Sequence, residues 1–294
     1  MNELSVAIIS GIIAMIGWGV ADIFAKKALD VLGHYRTLIY TNLLLIMFTL
    51  PLFFYDRSLP DFSLNTFLFI VIFGVADFLG YILLYKAYSI GNVSIINPIT
   101  STYVVLSAIF SYFVFGEAFP PIKIIAFIIV MIGVALTAFK FSDLKSKTRG
   151  GESLAKGLPY AMLVFLIYGA YIPLWDRFIE GDGWVFLSFM TRTATLVVVT
   201  LYTVLIKKQS PAIFPTKSII WWLVLNGLLL GLGNNAFNWG LNASSQTSVT
   251  AAIAAAYPLS LVIGAYFLLK ERLELSQYIG IILIVTGIVA MTFI

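Results

Sequence analysis

The chain has 294 residues, 61% of them hydrophobic and only 11% charged, with a mean hydropathy of +0.99. A soluble domain carries about 25% charged residues, so there is too little polar sequence to cover a globule of this size, and lipid must cover much of it. Cysteine is absent and His34 is the single histidine, which excludes disulfides, thiolate metal sites and a histidine-based metal or catalytic centre. The formal charge of +4 and the pI near 9.1 come from basic residues in short loops between apolar runs, which is a topological signal rather than a nucleic-acid one.

A span needs about 20 mainly apolar residues. Read in chain order, the apolar runs between charged or turn-rich breaks predict ten spans, at 5–25, 35–55, 66–86, 93–115, 122–141, 157–178, 184–206, 217–241, 248–269 and 276–294. Met1–Ser5 has no basic n-region and no small-residue cleavage site, so the first run is expected to be a retained span. The second half repeats the first with a shift of 154 residues: Ser94, Ile99, Tyr103, Ile109, Gly133 and Phe139 return as Ser248, Ile253, Tyr257, Ile263, Gly287 and Phe293. The expected organisation is therefore a first repeat over 1–141, a basic linker over 142–156 and a second repeat over 157–294. Five spans per repeat is an odd number, so the copies must insert in opposite senses, related by a pseudo-two-fold axis in the membrane plane. The predicted fold is all-α: a polytopic membrane protein of ten transmembrane helices in two inverted five-helix repeats.

Counting Lys and Arg by side orients the chain. Fourteen fall on one face, among them Lys26, Lys27, Arg36, Lys86, Lys207 and Lys270, whereas Arg57, Lys123 and Arg177 make three on the other. The richer face is expected to be cytoplasmic, together with the linker, which puts both termini outside.

Polar residues inside the spans are the candidates for chemistry. In the first span Trp18 and Asp22 share a face, and in the third Asp77, Tyr81, Tyr85 and Tyr88 form a stripe. Asp77 lies near mid-span, where a carboxylate costs at least about 2.5–3.5 kcal/mol unless paired, hydrated or protonated. Small residues line the fourth span (Asn97, Thr100, Ser101, Val104, Ser107, Ala108, Ser111) and the ninth (Thr250, Ala251, Ala254, Ala255, Pro258), which favours close packing between repeats. The repeat-related Tyr103 and Tyr257 suit either a cavity wall or an ordinary core. Tyr168, Tyr171 and Trp175 share a face of the sixth span, and with Asp22 they would make an aromatic box for an amine. Trp175 and Asp22 also lie near span ends, where belt and snorkelling roles are common. Arg192 sits inside the seventh span, either to grip a substrate carboxylate or phosphate or to pair with Asp77. In the eighth, Asn234, Asn235, Asn238 and Asn242 line a cavity or glue the bundle by interhelical hydrogen bonds. Glu117 and Glu271 end the fourth and ninth spans and read as helix caps and loop braces. No Walker loop, nucleophile elbow or zinc motif occurs, so neither an enzyme nor a cofactor is expected.

Three stretches resemble the EamA-type carriers of the drug/metabolite transporter superfamily: Gly17-Trp18-Gly19 with Lys26, the run from Lys86-Ala87 through Asn97-Pro98 to Gly116-Glu117, and Asn242-Ala243 through Tyr257-Pro258 to Lys270-Glu271-Arg272. The resemblance implies a ten-helix bundle in which helices one to four and six to nine surround a central substrate cavity, with the fifth and tenth outside it. It also implies transport of a small organic metabolite or drug, with export as the leading direction, across the plasma (inner) membrane. Members commonly keep both termini in the cytoplasm, the reverse of the charge count here. The second copy has Asp176 where the first has Lys26.

The site residues expected to face the cavity are Trp18, Asp22, Asp77, Tyr81, Tyr103, Tyr168, Arg192, Asn234, Asn238 and Tyr257. Partners are the bilayer, a small-molecule substrate and a proton, for which Asp77 is the candidate carrier; nucleic acid is not expected. A lipid scramblase or an intramembrane lipid-modifying enzyme are the alternatives. The first needs an open polar groove facing lipid, and the second needs clustered carboxylates or histidines at one interface, which the chain lacks.

Overall fold

A computed structural model describes residues 2–56, 59–60, 62–90, 93–116, 120–138, 150–180, 183–211, 216–269 and 274–291, and no strand occurs among them. The first helix, α1 (Glu3–Tyr55), has 53 residues. Unbroken, at 1.5 Å per residue it would be about 80 Å long, more than twice the ~30 Å of a hydrocarbon core. It breaks at Gly33 (φ 73°, ψ 173°), a conformation open to glycine and strained for other residues. The charged stretch between the first two predicted spans is thus helical on both sides of one glycine turn.

The remaining helices are α2 (Leu64–Ile90), α3 (Val93–Ser101), α4 (Tyr103–Phe115), α5 (Pro121–Ala138), α6 (Gly150–Ile179), α7 (Trp184–Leu201, prolonged by a π-turn at Tyr202–Ile206), α8 (Lys217–Asn242), α9 (Thr247–Ala255), α10 (Tyr257–Leu269) and α11 (Leu275–Met291). Six helical stretches among the described residues are long and apolar enough to cross a membrane. Helix α6 begins at Gly150, inside the expected linker. The rest of that linker (142–149) lies outside the described residues, as do Arg57, Glu117, Lys140, Lys270, Glu271 and Arg272.

The 154-residue shift reappears in the helix boundaries. Adding 154 to the bounds of α3 and α4 gives 247–255 and 257–269, the bounds of α9 and α10. Each predicted span at 93–115 and 248–269 is therefore two half-helices, broken at Thr102 and at Ala256. At each break the backbone tightens to i→i+3 bonds: Thr102 N donates to Ile99 O (3.3 Å) and Val105 N to Thr102 O (2.9 Å), while Ala256 N donates to Ile253 O (3.1 Å) and Leu259 N to Ala256 O (2.9 Å). Hydroxyls of Thr100 and Thr102 bond back to Asn97 O (2.8 Å) and Ile99 O (2.6 Å), which competes with the helical ladder at the first break. Pro258 is the second residue of α10, where a missing N–H is tolerated but cannot continue the preceding helix.

Helix α8 lies along α1, and α5 along α11. The α1–α8 approach requires Gly17, because a Cβ there would stand 2.7 Å from Leu229 O and 3.0 Å from Gly233 Cα. The repeat-related Gly133 and Gly287 lie where α5 and α11 touch. Large apolar side chains such as Phe54, Leu64 and Phe113 stand out of the bundle, an arrangement lipid accepts and water opposes.

One end of the bundle is laced by basic and aromatic residues. Lys27 Nζ sits 3.9 Å from the Trp222 ring centroid, and Lys207 lies over both Tyr35 (5.7 Å) and Tyr202 (5.5 Å). Hydrogen bonds to the Tyr35 and Tyr202 hydroxyls hold the Lys207 ammonium above the usual lysine range. Arg36 Nε donates to Ser210 O (3.0 Å). These contacts tie the turn in α1 to the ends of α7 and α8, and they match the aromatic and cationic belt of a membrane interface.

Gly17→Val is expected to lower thermal stability in detergent by about 1–3 kcal/mol, the cost of overpacking a tight contact. Gly231→Ala, whose new methyl would meet only Phe48 Cβ at 3.3 Å, is expected to cost much less. Equal melting temperatures for the two variants would remove the case for a glycine-dependent α1–α8 contact.

Candidate functional site

Lipid offers no hydrogen-bond partners, so a polar side chain on a spanning helix must face inward. The inward faces meet in a cavity of about 90 Å³, and all ten candidate residues line it. Trp18 and Asp22 come from α1, Asp77 and Tyr81 from α2, Tyr103 from α4, Tyr168 from α6, Arg192 from α7, Asn234 and Asn238 from α8, and Tyr257 from α10. Both halves of the chain contribute. Among the described residues, helices α5 and α11 contribute none to the lining. Tyr103 and Tyr257 each open the half-helix that follows a break, so repeat symmetry carries both to the chamber wall.

The deep charges are paired. An Arg192 Nη1–H donates to Asp77 Oδ2, with Arg192 14% and Asp77 2% exposed. Thr195 Oγ1–H supplies Asp77 Oδ2 with a further bond (3.2 Å), and the guanidinium lies 5.8 Å from the Tyr81 ring centroid. Of the readings open for Arg192, the ion pair is the one present, and it occupies part of the fork that an anionic substrate would need.

The amides of α8 divide between lining and glue, and Asn238 does both. Trp175 Nε1–H donates to Asn238 Oδ1 (2.9 Å), and Asn238 Nδ2–H donates to Ser188 Oγ (2.9 Å), joining α6, α7 and α8. Asn242 Nδ2 reaches Ile179 O (3.0 Å) and Asn235 Nδ2 reaches Thr49 Oγ1 (3.3 Å). Asn226 accepts from Thr41 Oγ1–H (2.7 Å) and donates to Ala21 O (3.0 Å). Asn234 Nδ2 is buried with no hydrogen-bond partner among the described residues.

Two further residues depart from their span-end reading. Trp175 is buried against Tyr171 (stacked, 5.9 Å) rather than standing in an interfacial belt. Asp22 is 8% exposed and accepts from Tyr88 Oη–H (2.8 Å) and Asn97 Nδ2–H (2.6 Å). The sequence reading placed Asn97 and Thr100 in a packing stripe, yet Thr100 lines the chamber and Asn97 binds its carboxylate. An amide amid small residues was the available signal. Phe237, which packs on Trp18 (5.1 Å) and lines the chamber, carried no polar signal.

A second crevice of about 680 Å³ adjoins the chamber, walled by apolar residues of α2 and α6 with Pro60, Phe115 and Arg177. Tyr171 borders both spaces. With Phe73 (5.1 Å, T-shaped) and Trp175, and with Phe178 stacked on Phe73 (5.2 Å), it forms an aromatic partition between them.

A lipid-embedded bundle of helices around a chamber with polar groups, flanked by broken helices, is the anatomy of a membrane carrier. A profile of the EamA-like transporter family matches residues 5–139 and again 155–293. The chain belongs to that family, within the drug/metabolite transporter superfamily, and is an integral multi-pass membrane protein. A solved protein crystal structure aligns over 97% of this chain and 98% of its own, with a TM-score of 0.78 at 15% identity. That likeness shows a shared fold. No curated protein sequence matches the chain.

The ion pair generates a double-mutant test. Asp77→Asn or Arg192→Leu alone is expected to cost about 3–5 kcal/mol by leaving an unpaired buried charge. The double variant is expected to recover much of that loss in thermal unfolding. Additive losses would mean that the two residues act independently.

Proposed function

We propose that the protein is a secondary carrier that moves a small organic solute by alternating access, in the export direction that the family resemblance suggests. The observation that carries this reading is the convergence of all ten candidate residues, from both halves, on one chamber. At about 90 Å³ it holds several waters, well below the roughly 300–1,000 Å³ of a pocket for a drug-sized ligand. The chamber therefore corresponds to a closed stage of the cycle, and the aromatic partition at Tyr171 is the closure. The adjoining crevice is the vestibule through which solute leaves.

The same reading completes the architecture. The chain spans the membrane as ten helices, with α1 counted twice across Gly33 and each pair α3–α4 and α9–α10 counted once, in two inverted repeats of the bounds given above. The Lys207 end faces the cytoplasm, the termini face outward, and the membrane is the plasma (inner) membrane. Support comes from the lysine and arginine bias and from the matching half-helix breaks.

The transport reading is tested by a thermal-shift screen of purified protein against metabolite classes. A true substrate at 100 times its Kd stabilises by about 2.7 kcal/mol, and the gain is expected to vanish in Asn238→Leu or Trp18→Ala. The hit is then expected to exchange across proteoliposomes by counterflow. Binding that survives both chamber variants, or absence of counterflow, would overturn the proposal.

Topology and closure are tested together in this Cys-free chain. A membrane-impermeant thiol reagent applied to intact cells is expected to label Ser63→Cys and to spare Gln209→Cys. It is expected to reach Asn234→Cys at least about tenfold faster when Tyr171 is also changed to Ala, since one order of magnitude is about 1.4 kcal/mol of gating energy. Labelling at position 209 but not at 63 would reverse the orientation, and an unchanged rate at 234 would remove Tyr171 as the closure.

A further inference from the structure

The chamber holds two carboxylates whose settings differ. Asp77 faces Arg192. Asp22 has no basic group at ion-pair distance among the described residues. Lys26, one turn further along α1, is turned away to Asp30 Oδ1 (2.8 Å) and to Tyr88 O (3.2 Å). The two donors on Asp22, Tyr88 Oη–H and Asn97 Nδ2–H, are neutral and converge on one oxygen, Oδ2.

The second observation concerns Asn97, which is 0% exposed. Its Nδ2 donates to Asp22 Oδ2 (2.6 Å) and to Tyr88 Oη (3.0 Å), but its Oδ1 is buried with no donor among the described residues. A buried acceptor left unmade costs about 1–3 kcal/mol. A carboxylate cannot fill that vacancy, because it only accepts. A carboxylic acid can, since acid and amide pair through two parallel bonds, N–H to the carboxyl oxygen and O–H to the amide oxygen.

From this geometry we infer that Asp22 is the residue that binds and releases a proton inside the chamber, with Asn97 as its acid–amide partner. Uptake transfers a proton from chamber water to a carboxyl oxygen of Asp22, and the new O–H donates to Asn97 Oδ1. Release returns the proton to water, and a negative charge remains beside Trp18 and Tyr257.

The position of this group links it to movement. Asn97 and Thr100 lie on α3, the half-helix that ends at the Thr102 break. The Thr100 hydroxyl, whose own hydrogen goes to Asn97 O, accepts from Tyr257 Oη–H (3.1 Å), so the cluster runs from α1 through α3 to α10. A proton on Asp22 adds the O–H bond to Asn97 Oδ1 between α1 and α3, and its loss removes that bond. The titratable and charged groups facing Asp22 are Tyr88 and, further off, Tyr81 and Tyr85 from α2 and Tyr257 from α10, with the Asp77–Arg192 pair across the chamber. None of the tyrosines supplies a positive charge. Asp77, the carrier expected from sequence, already has its counter-charge.

The inference rests on the carrier reading for its consequence, the coupling of protons to solute, but its test needs no solute. Purified protein is titrated between about pH 4 and about pH 9, across the range of free carboxylates and histidine, while the infrared C=O band of a protonated buried carboxyl is followed. The wild type is expected to show such a band that disappears as pH rises, with the band missing in Asp22→Asn and retained in Asp77→Asn. Asn97→Leu is expected to displace its frequency, because that frequency reports the hydrogen bonds on the acid. If Asp22→Asn does not yield monodisperse protein, Asp22→Glu keeps the test open by shifting the band without abolishing it. A band lost in Asp77→Asn and kept in Asp22→Asn would overturn the assignment, as would the absence of any titrating band. A band removed by sodium at constant pH would reassign the site to a metal cation. A titrating Asp22 in a protein that moves no solute would sink the carrier reading and leave the proton site standing.

Discussion

The bilayer core supplies neither donors nor acceptors, and the rest of the structure follows from that constraint. Polar side chains on the spanning helices are driven inward, toward partners on other helices. In α8 the solution is a ladder of amides: Asn226 clips α1, Asn238 clips α6 and α7, and Asn242 caps a carbonyl at the end of α6. Lining and gluing are not rival roles for Asn238, which does both. A side chain that faces the chamber is also the one best placed to reach a neighbouring helix.

The charges follow the same logic with larger energies. An isolated ion at the centre of a bilayer is costly by any scale, and Arg192 and Asp77 answer by pairing, with Thr195 completing the carboxylate's bonds. Around them stands a shell of rings: Trp18 on Phe237, Tyr81 near Tyr168, Tyr171 on Trp175. The rings keep the chamber narrow, while their hydroxyl and indole groups leave it capable of hydrogen bonding. Asp22, held only by neutral donors, is the exception in this pattern, and its exceptional setting is what marks it for a moving proton.

Movement has its own structural preparation. Uninterrupted helices slide as rods, whereas α3–α4 and α9–α10 are interrupted at equivalent positions, Thr102 and Ala256, each followed by a chamber tyrosine. Discontinuous helices at mid-membrane place backbone and side chains of one repeat beside those of the other. Here the Thr100–Tyr257 contact joins the two broken elements directly.

Much of this was legible in the sequence because membrane proteins write their solvent into composition. The apolar runs and the 154-residue repeat led to an all-helical, membrane-embedded, two-repeat protein, and the rarity of polar residues in the spans singled out Asp77, Arg192, Asn234 and Asn238. Helical periodicity also said which of them share a face. It could not say how the faces of different helices meet, since that depends on rotation and depth fixed by distant packing. Only the tertiary structure paired Arg192 with Asp77, moved Asn97 from a packing stripe to the carboxyl of Asp22, and buried Trp175. It also turned the charged break near His34 into a single glycine turn and split two apparent spans into half-helices. A hydropathy run records what a segment is buried in, and hydrogen-bond partners record what it is buried against; the first is local and the second is not.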